Sequence, residues 1–172
     1  MAGPFSFDPV EYLGATAVGE PGRRTFFLII GDQDGWVRAW LEKEQLRALA
    51  EGLDELLART GDGQQGHRGR PGAGNANPPN LPMVADFHIG QLAVGYDPDP
   101  DNVMLVVHDT ESDDEDNPML ACRVTRQQAI SLSAQATAVC DAGRPMCPLC
   151  DQPMDPSGHL CPRTNGHKQT GI

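Results

Sequence analysis

Aromatic residues are scarce in this chain: five Phe, two Tyr and two Trp among 172 residues. A surface that stacks unpaired bases therefore has few rings to draw on. Cations are scarce too. Thirteen Lys and Arg stand against 24 Asp and Glu, a formal net charge of -11. A body of that sign repels phosphate backbones unless a local basic patch intervenes. No apolar run approaches the ~18 residues of a membrane span. The first twenty residues lack the basic start and apolar stretch of a secretory signal. The expected location is the cytoplasm, where the five Cys read as thiols or metal ligands rather than disulfides. No Ser/His/Asp set, phosphate-binding Gly loop or paired carboxylates with an inferable pocket is found, so no catalytic residue is assigned.

What is present is concentrated near the carboxyl end: Cys147-Pro-Leu-Cys150, then His159-Leu-Cys161, then His167. Zinc favours four N or S ligands in a tetrahedron, and two Cys separated by two residues grip one ion from a tight turn. The second pair is Cys161 with His167, or His159 with Cys161. The five-residue gap fits the second half of small fingers better. The preferred ligands are Cys147, Cys150, Cys161 and His167, with His159 as the alternative. More candidates than places argues for a closed structural zinc site, because a catalytic one keeps a position open. A tail of this size cannot build a core, so the metal would supply its folding energy.

The rest reads as one plan used twice. Tyr12 to Val18, Thr25 to Ile30 and Trp36 to Leu41 are strands by composition and alternation. Lys43 to Arg59 is an amphipathic helix, with Leu46, Leu49, Leu53, Leu56 and Leu57 at helical spacing. His88 to Gly95 then aligns with Tyr12 to Gly19, sharing Gly14/Gly90, Ala17/Ala93, Val18/Val94 and Gly19/Gly95. Strands at Val103 to Val107 and Met119 to Val124 follow, the latter with Leu120, Cys122 and Val124 inward. A helix N-capped by Thr125 runs through Cys140. Thr125-Arg-Gln-Gln128 matches Glu42-Lys-Glu-Gln45. Between the halves, Gly61 to Leu81 is Gly-, Pro-, Gln- and Asn-rich and is expected to be a flexible linker that lets two like units pack together. The expected division is 1–60 first repeat, 61–81 linker, 82–142 second repeat and 143–172 zinc-binding tail.

Trp36, Arg38 and Trp40 alternate on the sheet face away from the helix, and Arg123 is expected on the equivalent face of the second unit. These four are the candidate nucleic-acid contacts; the competing expectation is that this face packs on the other half and its Trp residues are core. Residues 97–117 hold nine carboxylates and no Lys or Arg. The loop 109–117 within them reads as a solvated acidic segment rather than a cation site. His88 and His108 read as structural strand residues, and Cys122 and Cys140 as core.

Two resemblances rest on these residues. Leu41-Glu-Lys-Glu-Gln45, Gly90-Gln-Leu-Ala-Val-Gly95, the Cys147-Pro-Leu-Cys150 knuckle, Gly158-His-Leu-Cys-Pro-Arg163 and Asn165-Gly-His167 resemble a family of high-GC Gram-positive bacteria known only as a domain of unknown function. That resemblance implies a bacterial cytosolic protein and names no activity. The order of strands then one helix, used twice, is similar to the PUR and Whirly architectures, which implies single-stranded nucleic-acid binding through basic and aromatic sheet faces. The resulting expectation is an α+β fold: two pseudo-symmetric antiparallel-strands-then-helix repeats plus a C-terminal zinc ribbon or knuckle. The leading function is a non-enzymatic binding or adaptor protein that engages a protein partner. The second is a single-stranded nucleic-acid binder, and the third a metal-dependent enzyme.

Overall fold

A computed structural model describes residues 4–20, 23–61, 77–99, 101–111, 117–143, 147–150, 154 and 161–163. Seven strands and two helices follow one another as β1 Phe5–Phe7, β2 Tyr12–Val18, β3 Thr25–Gly31, β4 Trp36–Leu41, α1 Lys43–Thr60, β5 Met83–Asp97, β6 Asn102–Asp109, β7 Leu120–Thr125 and α2 Arg126–Asp141. The fold is mixed α and β. Strands β2, β3 and β4 form one antiparallel meander, and β5, β6 and β7 form a second.

The two meanders are not separate bodies packed face to face. They belong to one seven-stranded sheet ordered β1-β7-β6-β5-β4-β3-β2. Strand β4 runs parallel to the first half of β5, from Trp36↔Met83 to Trp40↔His88. Strand β6 takes over β5 from Ile89 onward. The handover lies at an irregularity between Ile89 and Gln91, where Gly90 sits in close quarters. A Cβ on Gly90 would lie 3.1 Å from the Asp109 carbonyl oxygen and from Thr110.

Neither β1 nor the first half of β5 is legible in the local sequence. Phe5-Ser-Phe7 is short, and its parallel partner starts at Leu120. Met83 to Phe87 has no clean alternation and becomes a strand by lying beside β4. Both are products of long-range pairing.

The sheet cannot be flat. Its edge strands β1 and β2 would be ~29 Å apart across six strand spacings of ~4.8 Å. The chain from Phe7 to Tyr12 reaches at most ~18 Å. The sheet must therefore curl, and helix α2 is what it curls around: α2 touches β2 at one end of the strand order and β7 near the other. The helices also pack on each other, and α1 packs on β5. Each helix thus lies on strands of the other meander. One core results, joining Leu13, Leu28, Ile30, Val37, Leu105, Leu120 and Val124 of the sheet with Leu46, Leu53, Leu132 and Ala136 of the helices.

Polar contacts fix the helix starts. Thr125 caps α2: its hydroxyl accepts from the Gln128 N–H, and Gln128 Oε1 accepts from the Thr125 N–H at 2.8 Å. Gln45 does the same for Glu42 at the start of α1. Each glutamine also crosses to the other half. Gln45 Nε2 donates to the carbonyls of Ile89 and Gly90, and Gln128 Nε2 donates to the Val10 carbonyl at 2.7 Å. Arg126 clamps the end of α1 by donating to the Leu57 and Thr60 carbonyls, while Asp101 neutralises it. Cys122 and Cys140 are buried core residues.

Candidate metal centre

After α2 the chain turns back on itself at Cys147-Pro-Leu-Cys150, and a second short stretch presents Cys161. The sulfur atoms of Cys147, Cys150 and Cys161 lie within 4.8 Å of one another. Cys147 Sγ and Cys161 Sγ are 3.9 Å apart. That is far longer than a disulfide at ~2.05 Å. It matches the ~3.8 Å edge of a tetrahedron built on ~2.3 Å zinc–sulfur bonds. Cys147 and Cys161 are fully buried and Cys150 half-buried. Arg163 donates to the Leu149 carbonyl at 2.8 Å, tying the second stretch to the tip of the first.

Electrostatics favour the ionised form of one of these sulfurs. Burial opposes ionisation of the Cys147 thiol, but it is outweighed by the backbone N–H groups of Leu149 and Cys150 and by the Cys150 side chain. Together they hold the thiol below its ordinary range. The thiolate is the form that ligates. Three soft sulfurs this close together can hold a soft or borderline cation such as zinc. His159 and His167 lie outside the described residues, as do most of the linker (62–76) and residues 112–116 of the acidic loop.

The other predicted residues lie on the opposite side of the sheet from the helices. Trp36, with Phe27 and Ile29, forms a small second core there, flanked by Tyr12, Trp40 and Leu81. Trp36 is buried, and its indole N–H donates to the Leu81 carbonyl at 3.0 Å. Trp40 is half-exposed, edge-on to Phe27 and stacked beside His88. Arg38 lies 4.6 Å above the Trp40 ring. Asp86 on β5 ion-pairs with Arg38 and accepts the Trp40 indole N–H at 2.6 Å. The Arg38 hydrogen bond holds the Asp86 carboxyl below the usual range, with help from Trp40. Arg123 sits apart, on β7, 3.8 Å from both Asp8 and Asp97. The structure therefore gathers Trp36, Arg38 and Trp40 and leaves Arg123 three strands away.

The model of a family described as a protein of unknown function (DUF3090) matches residues 5–161. The chain belongs to the DUF3090 family. No curated protein and no solved structure matches it. The stretch shared with the DUF3090 model contains all three clustered cysteines and His159, and ends before His167. Sequence reasoning about this DUF3090 member missed Asp86, which organises the aromatic face. Asp86 lies in a stretch with no strand pattern, and only its pairing with Arg38 across the two meanders gives it a role. No helix of the described residues is long and apolar enough to cross a membrane.

Proposed function

We propose that this DUF3090 protein is a non-enzymatic binding or adaptor protein of the cytoplasm, whose tail is held by a structural zinc ion and which engages a protein partner. The observation that carries this reading is the convergence of Cys147, Cys150 and Cys161 into a knot whose described ligands are all sulfur. Sulfur-rich closed sites hold structure, whereas catalytic zinc needs an open position beside a base. The fourth ligand in this reading is His167, with His159 as the alternative. The acidic surface suits a basic partner through electrostatic steering.

The scaffold in this reading is a pseudo-symmetric duplication. It is supported by the strand–strand–strand–helix order occurring twice. It is supported also by the paired roles of Gln45 and Gln128 and by two parallel seams, β4 with β5 and β7 with β1, each burying a phenylalanine, Phe87 or Phe7.

The test is metal analysis of the purified full chain combined with capture of its partner. About one zinc per chain is expected, as for a four-ligand structural site. Partner capture should be lost on Cys147→Ser while nuclease treatment leaves it intact. A chain without metal, or capture indifferent to Cys147→Ser, refutes the reading.

A second reading, single-stranded nucleic-acid binding, draws on the half-exposed Trp40 with Arg38 above its ring. Against it, Arg38 is neutralised by Asp86, and Arg123 faces Asp8 and Asp97. Salt-dependent oligonucleotide binding abolished by Trp40→Ala would favour it.

A further inference from the structure

Strand β5 changes partners along its length, and among the described residues the change leaves one edge of it unpaired. On one side β4 covers Met83 to His88. On the other side β6 reaches only to Ile89, paired with Asp109. The last bond is from the Thr110 N–H to the His88 carbonyl at 3.0 Å. The chain then turns at Glu111, whose N–H bonds the Asp109 carboxylate. Among the described residues, no strand pairs with Met83 to Phe87 on that side. Counting back from His88 by the strand's period of two puts the Asp86 N–H and C=O on the open side. Val84 is the extra residue where the β4–β5 register shifts, so its backbone groups also lack a ladder partner there.

Natural edges are usually blunted by charge, Pro, a bulge or burial. Here a bulge at Val84 and Pro82 stand at one end, yet the apolar side chains of the edge are not covered among the described residues. Met83 and Val84 are 43% and 46% exposed, two of the four large apolar side chains so exposed among the described residues. The edge is also rigid. Trp36 bonds both the Pro82 carbonyl through its backbone and the Leu81 carbonyl through its indole. A Cβ on Gly35 would lie 2.7 Å from Val84, so the β3–β4 turn presses against this residue. A held template loses little entropy on receiving a strand.

Its surroundings are anionic. Asp32 and Asp34 belong to the β3–β4 turn at one end, and Asp109 and Glu111 stand where β6 stops. The cation on the flanking strand, Arg38, is already paired with Asp86.

We infer that the open edge of β5 from Met83 to Phe87 receives an extended, Lys- or Arg-rich segment of another protein as an added strand. Backbone bonds to Val84 and Asp86 supply register, Met83 and Val84 supply apolar contact, and the carboxylates select the sign of the partner. This deepens the proposed function, since it rests on the reading that a protein partner is bound, and it names the surface and its chemistry.

The test uses the full zinc-loaded chain and a short synthetic peptide alternating lysine and valine, with its glutamate-for-lysine counterpart as control. Calorimetric titration should show binding of the lysine peptide that weakens as salt rises. Binding should fall by about tenfold on Val84→Lys, the equivalent of about 1.4 kcal/mol. Hydrogen exchange of the Val84 and Asp86 amides should slow when the peptide is bound. Should Val84→Lys not fold, Met83→Lys places the same charge at an exposed position.

Equal binding of the glutamate peptide, or unchanged binding by the Lys variants, overturns the inference. So does a concentration-dependent dimer abolished by Val84→Lys, because the occupant is then a second copy. Repeating the titration with Cys150→Ser separates the two proposals. Peptide binding that survives metal loss keeps the edge while removing any dependence of the partner on zinc.

Discussion

Leu132→Ala is the sharpest test of the interlocked architecture, because the perturbation lies in one half and the reporter in the other. Leu132 is 1% exposed on α2, the helix that follows the second meander yet packs on β2 of the first. Both tryptophans of the chain, Trp36 and Trp40, lie on β4 of the first meander. Removing a fully buried leucine from a packed interface costs about 3 kcal/mol, the transfer term plus the cavity it leaves. For a domain of this size the loss lowers the melting temperature by about 6–12 °C. Tryptophan fluorescence and far-UV circular dichroism should shift together by that amount, in one transition. A control, Val18→Ala at a 49% exposed site, should cost less than about 0.5 kcal/mol. If the tryptophan transition stays in place while the helical signal moves, the two halves melt independently. The helices then do not lock the two halves into one cooperative unit.

Cys150→Ser should reduce bound zinc from about one per chain to near zero, measured by elemental analysis, while the fluorescence transition of the body stays cooperative. Unfolding of the whole sheet on metal loss would place the tail inside the core. Burial pushes the Cys122 thiol up to about 12, so Cys122 should resist alkylation in the native chain and react once it is unfolded. Because the folded value is raised, this burial contributes its full stability below the ordinary thiol value of about 8.5. The contribution is lost as pH climbs from there toward about 12. The depressed Asp86 carboxyl has the opposite sign. Its contribution is present at neutral pH and is lost as pH falls below about 3.9 and through the lower folded value. Asp86→Asn should remove that acid-limb dependence of Trp40 fluorescence and cost under about 1 kcal/mol, since the pair is partly solvated.

Several features could be read directly from neighbours in sequence. The alternation in Trp36 to Leu41 and Leu120 to Val124 assigned their inward and outward faces. The leucine spacing of α1, the Thr125 cap and the Cys-x2-Cys bite were equally local. Such signals are legible because the backbone period and the reach of a turn are fixed within a few residues. The aromatic face shows where that stops. Trp36 and Trp40 were correctly set away from the helices, but their partners, Leu81 just before β5 and Asp86 within it, come more than forty residues later.

The sequence alone determined the order of the elements from β2 onward, the face each apolar residue would seek, and a thiol spacing suited to gripping a metal ion. Tertiary structure decided that β1 joins β7 and that β5 serves β4 and then β6. It also decided that each helix covers the other half and that Cys161 comes within reach of Cys147. The physical reason is that side-chain period is written locally, whereas the backbone groups that pair strands are the same at every residue. Only the fit of the whole curled sheet around its two helices selects which strand lies beside which.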